Sequence, residues 1–70
     1  MIIQFDKSLY SEQAVKQAID DYAPIAKIHI SCTPEYYVCS IVQSNYPIET
    51  TVQEFSNYVL NLTVMSEKKT

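Results

Sequence analysis

Apolar and polar residues alternate in one stretch of this chain and recur at helical spacing in two others. From Lys27 to Val42, two β-rich runs, KIHISC and YYVCSIV, flank a proline-containing turn. Pairing positions whose numbers sum to 69 puts Ile28, Ile30, Cys32, Tyr37, Cys39 and Ile41 on one face. The other face then carries Lys27, His29, Ser31, Val38, Ser40 and Val42. A slip of one residue mixes the two sets, so the apolar pattern selects this register. Pro34 cannot adopt a positive φ, which rules out a type I′ turn at Pro34-Glu35. The spacing predicts a longer loop over Thr33–Tyr36, built around a type I turn.

Ahead of the hairpin, Ile2–Phe5 reads as a short strand with Ile3 and Phe5 on one face, broken by Asp6-Lys7-Ser8. Ser11 is placed to cap a helix, because its hydroxyl can accept from the free amides of the first turn. Glu12 follows where the helix dipole favours an acid. Val15, Ala18, Ile19 and Tyr22 make the apolar stripe, with Ala14 at its margin, and Pro24 ends the helix near Tyr22-Ala23. After the hairpin, Ser44-Asn45-Tyr46-Pro47 is a break. A second helix is expected from Thr50 or Thr51, each with a capping-box partner, Gln53 or Glu54, three positions on. Its core stripe reads Val52, Phe55, Val59 and Leu62, with Tyr58 beside it and Leu60 and Val64 widening the apolar surface. Residues 1–65 form one domain and 66–70 a polar tail that frays.

The element order β-α-β-β-α predicts an α+β fold in two layers, a three-stranded sheet with two helices on one face. Such an arrangement resembles a ferredoxin-like unit lacking its last strand, in which the first strand lies at an edge beside the third. An apolar edge left uncovered is a pairing hazard, which favours a homodimer or a partner-bound state.

Composition narrows the chemistry. With 47% hydrophobic and 19% charged residues the chain is globular rather than disordered. A net charge of −3, with scattered lysines, argues against nucleic acid as a partner. No stretch approaches the ~20 apolar residues of a membrane span and the N-terminus lacks a signal-peptide pattern, so the expected location is cytoplasmic.

Each candidate reactive group has an ordinary structural reading. Cys32 and Cys39 share a face but lie diagonally, about 7–8 Å apart, too far for a relaxed disulfide. Their Cys-x₆-Cys spacing fits no common zinc arrangement, and both read as small buried hydrophobes. His29 lies opposite Ser40 and across the sheet from Cys32, with no acid at pairing distance, so it reads as a surface histidine. Asp20 and Asp21 are adjacent on a helix and point about 100° apart, which suits solvation rather than shared ligation. Tyrosine packs while keeping a polar tip, which favours it at contact surfaces. No catalytic residue, metal ligand or cofactor is assigned, and the chain does not read as an enzyme. The candidate interaction surface is Ile2, Gln4, His29, Tyr36, Val38, Ser40, Val42 and Tyr46.

The segment FDKSLYSEQAVKQA resembles the D-component proteins of bacterial His-Xaa-Ser repeat systems, through Phe5-Asp6, Ser8-Leu9-Tyr10-Ser11, Ala14-Val15 and Ala18. Glu54-Phe55, Asn57 and Val59-Leu60 extend the likeness, which covers roughly residues 3 to 62. Ile19-Asp20-Asp21 lacks the aromatic residues often found there, and the family's further helical tail does not appear. The resemblance implies a non-catalytic accessory protein that binds a radical-SAM maturase or its repeat peptide. The alternative is a small structural or regulatory homodimer without small-molecule chemistry.

Overall fold

The computed structural model describes residues 1–67 of the chain. Its elements run β1 (Ile2–Asp6), α1 (Glu12–Tyr22), β2 (Ala26–Cys32), β3 (Tyr36–Ser44) and α2 (Ile48–Glu67). The strands form one antiparallel sheet in the order β1-β3-β2. Both helices pack on the same side of it, α1 over β2 and α2 over β3. This is the expected two-layer α+β arrangement, with β1 at an edge beside β3.

Side-chain oxygens help close the turns after β1 and between β2 and β3, in a chain with no glycine and, among the described residues, no positive φ. The Asp6 carboxylate accepts from the Ser8 amide at 2.8 Å and the Ser8 hydroxyl at 2.7 Å, ending β1. Ser11 caps α1 as predicted, accepting from the Ala14 amide at 3.2 Å. At the hairpin, the Thr33 hydroxyl accepts from the amides of Glu35 (3.3 Å) and Tyr36 (3.0 Å).

The core lies between the layers. Phe55 is fully buried and meets Phe5 and Tyr22 edge-on, with centroids 6.0 and 5.4 Å away. Such edge-to-face contacts add to the burial term. Val15, Ala18, Ala26, Ile28, Cys39, Ile41 and Val59 complete the cluster.

Four features depart from the sequence expectations. First, α2 starts at Ile48 rather than at Thr50 or Thr51. The Pro47 carbonyl accepts the Thr51 amide at 3.2 Å, so Thr51 already lies in the first turn. Its hydroxyl is turned inward, 2.6 Å from the Ser44 hydroxyl, and caps nothing. Second, the buried row of α2 is Thr51, Phe55, Val59 and Thr63, with Val52 and Leu62 half-buried on either side. Thr63 is tolerated there because its hydroxyl donates to the Val59 carbonyl at 2.9 Å. The helix runs on through Ser66 and Glu67, past the boundary at 65, and the rest of the 66–70 tail lies outside the described residues.

Third, the hairpin register holds from Ile28↔Ile41 to Cys32↔Tyr37, then shifts at a bulge, so that Lys27 faces Gln43 and Ala26 faces Ser44. Val42 is the extra residue on β3. A bulge reverses the alternation beyond it, which is how Ser44 comes to point at the helices. Fourth, Cys32 is exposed rather than buried, and Ile30 beside it is 38% exposed. The helical layer stops short of this corner, leaving a recess of about 200 Å³ lined by Glu12, Lys16, Ile30, Ser31, Cys32 and Tyr37. Among the described residues, no helix is long and apolar enough to cross a membrane.

Candidate interaction surface

With both helices on one side, the other side of the sheet is bare. Strand parity brings Ile2 and Gln4 of β1, His29 of β2, and Tyr36, Val38 and Ser40 of β3 onto it. Ser40 sits between Ile2 and His29, and Val38 between Gln4 and Ser31. Lys27, Asp6 and Ser31 share the parity and complete the face, with Lys27 and Asp6 at its ends. Val42, at the bulge, is exposed at its margin. Tyr46 is exposed in the bend after β3, beyond the end of the strand. Between its ends the face is uncharged.

Backbone bonding defines the free edge of β1. The Ile41 amide donates to the Met1 carbonyl at 2.8 Å, and the Lys7 amide donates to the Glu35 carbonyl at 3.0 Å. Antiparallel strands alternate bonded and non-bonded pairs, so odd-numbered residues of β1 bond to β3. The amides and carbonyls of Ile2 and Gln4 therefore point away from the sheet. Along Ile2–Asp6 the edge carries no proline or lysine of the kind that usually blunts an exposed strand.

Several titratable groups are engaged in structure. Burial pushes the Cys39 thiol up to about 11, so at neutral pH it is protonated and a poor nucleophile. Both cysteines are free, and the register sets Cys39 opposite Ile30 and Cys32 opposite Tyr37, the diagonal arrangement expected. Asp21 accepts from Gln17 and from the Tyr58 hydroxyl. That bond, more than partial burial or the Asp21 charge, raises the Tyr58 pKa. Asp6 is lowered by its bonds from the Ser8 hydroxyl and amide. Among the described residues, no group of three His, Cys, Asp or Glu side chains is arranged to hold a metal ion.

A shallow recess of about 410 Å³ runs between α1 and α2, with Gln13, Ala14, Lys16, Gln17, Asp20, Leu62 and Ser66 around it. Leu60 and Val64, expected to widen the apolar surface of α2, fall with Val52 and Ser56 in a row spaced four apart beside the buried row. The spacing was legible, but a helix stripe does not reveal which flank has a neighbour. No protein-family model, curated protein or solved structure matches this chain.

Proposed function

We propose that this protein is a non-catalytic adaptor that holds a protein or peptide partner against its sheet, acting in the cytoplasm. The observation that carries the reading is the bare side of the sheet, uncharged between Lys27 and Asp6 at its ends, lying beside the unpaired edge of β1. An extended peptide can satisfy such an edge by main-chain bonding while side-chain contacts supply specificity. The resemblance to the D-component proteins makes the partner a radical-SAM maturase or its His-Xaa-Ser repeat peptide. Co-purification of the tagged chain with a radical-SAM maturase and a His-Xaa-Ser repeat peptide tests this. A complex that survives gel filtration supports the reading, and no association with either overturns it.

Exposed Ile2 and Val42 favour a homodimer through the same face as the second reading. Three strands about 4.8 Å apart, of five, seven and nine residues, present roughly 330 Å² in projection. A stable interface buries about 800 Å² per partner, so the face alone falls short and would need flanking surface. Sedimentation showing a monomer at about tens of micromolar removes this reading.

A further inference from the structure

The sheet has a second free edge, on β2. The Thr33 amide donates to the Tyr36 carbonyl and the Asn45 amide to the Ile25 carbonyl, both at 2.9 Å, one bond at each end of the strand. Alternation then makes the odd-numbered residues of β2 the ones bonded to β3, and the amides and carbonyls of Ile28, Ile30 and Cys32 point outward. From Ile28 to Cys32 the edge carries no proline, lysine or acid to blunt it. The helical layer buries Ala26 and Ile28 but leaves Ile30 38% exposed and Cys32 bare. Free main chain and uncovered apolar side chains coincide at this one corner.

The charges beside the corner select its occupant. Glu12 and Lys16 line the same recess as Ile30 and Cys32, and their exposed side chains meet at 3.9 Å. A short turn joins α1 to β2, so the two run in opposite directions, with Glu12 toward Cys32 and Lys16 toward Ile30. One helical turn separates the two charges by about 6 Å. Two strand residues separate Ile30 from Cys32 by about 7 Å. A single two-fold axis at Ser31 can therefore pass midway through both pairs. It sets Glu12 against the second copy's Lys16 and Ile30 against the second copy's Cys32, with the outward main chains in bonding register. The corner is its own complement.

We infer that β2 pairs antiparallel with β2 of a second copy, Ile30 opposite Cys32, to give a six-stranded sheet with all four helices on one side. The strands overlap from His29 to Thr33, where the helical layer stops short. The recess of about 200 Å³ in each copy is the room that two α1 helices need across the seam. A seam about 17 Å long is far smaller than a standard interface, so the dimer is weak, with a Kd of about 0.1–1 mM. The inference goes beyond the adaptor reading and does not rest on it. Both β1 edges and the whole open face stay free, the β1 strands lying at the outer rims about 24 Å apart.

Disulfide trapping on the full chain tests the register. Ile30→Cys puts a thiol directly across from the second copy's Cys32, at a Cα separation of about 5.5 Å that suits a disulfide. Within one strand the same positions are about 7 Å apart, at the far limit of the usual range. Oxidised glutathione should convert Ile30→Cys to a covalent dimer at least about tenfold faster than wild type, whose Cys32 thiols would lie diagonally. Peptide mapping should place the bond between positions 30 and 32. Ile2→Cys, on the far edge, should cross-link no faster than wild type. Sedimentation of wild type at about 1 mM should show dimer. Ile30→Pro removes an amide that β3 does not use, so it should abolish the dimer while circular dichroism stays native. Glu12→Lys should weaken the dimer about tenfold, and adding Lys16→Glu should restore it. A wild-type monomer at that concentration, a bond mapped elsewhere, or a charge swap that fails to restore pairing overturns the inference. Fast cross-linking of Ile2→Cys instead assigns pairing to the open face and likewise overturns it.

Discussion

The hydroxyl pair Ser44–Thr51 ties the bulge in β3 to the first turn of α2, and its removal has a calculable signature. The oxygens are 2.6 Å apart, Thr51 is 2% exposed and Ser44 is half-buried. Thr51→Val keeps the shape but leaves the Ser44 hydroxyl with only the Tyr46 amide, 3.3 Å away. Water reaches Ser44 in part, so the cost falls near the low end of the ~1–3 kcal/mol for an unpaired polar group. Ser44→Ala strands the more deeply buried Thr51 hydroxyl and costs about 1–3 kcal/mol. In the double variant neither partner is left unsatisfied, so its cost falls below the sum of the two singles by about 1–2 kcal/mol. A domain of this size holds only ~3–5 kcal/mol in total, so each single change is a large fraction of the stability. Urea unfolding followed by far-ultraviolet circular dichroism reads this directly, since at an m-value of about 1 kcal/mol/M each kcal/mol moves the midpoint by about 1 M. A double variant whose loss equals the sum of the singles within about 0.3–0.5 kcal/mol would falsify the pairing.

Other residues give independent checks. Phe55→Ala removes the fully buried ring at the centre of the aromatic cluster and costs about 3–5 kcal/mol, the whole stability of the domain. The variant is expected to be unfolded at 25 °C by circular dichroism, and a cooperative native-like melt would contradict the core assignment. Iodoacetamide at pH 8 should modify exposed Cys32 rapidly and buried Cys39 only through unfolding. Mass spectrometry is expected to show one label per native chain and two in denaturant, and rapid double labelling of folded protein would refute the placement. Asp6 is depressed below its ordinary 3.8 by the Ser8 hydroxyl and amide, so its contribution is present above that pH and lost as pH falls through the lower folded value. The stability gap between wild type and Asp6→Asn should therefore close in acid, and a gap that stays constant from pH 5 to about 2 would rule out the carboxylate as its source.

The parts of this fold that depend on parity were legible in the sequence. Ile28, Ile30, Cys39 and Ile41 repeat every second position, and only one register puts them together, so pairing and faces followed at once. Ser11, three residues before Ala14, marked the start of α1 for an equally local reason. The bulge was hidden because Val42 suits either side of a sheet and no glycine marks the kink. Burial of Thr51 and Thr63 was hidden because hydroxyl residues score as polar until their partners, Ser44 and the Val59 carbonyl, are in place. Exposure of Cys32 depends on how far α1 reaches along β2, a matter of layer dimensions that alternation cannot encode.

That distinction also explains why the candidate surface was read only in part. Ile2, Gln4, His29, Val38 and Ser40 were chosen by parity, and parity does gather them on one side. Parity assigns side chains to faces, but it does not say which backbone edge is free. That follows only from the bonds of Met1 and Lys7 to β3, which fix the odd-numbered residues of β1 as the bonded ones and leave the amides and carbonyls of Ile2 and Gln4 pointing outward. The same two residues therefore offer a partner both side chains on the bare face and main chain at its edge.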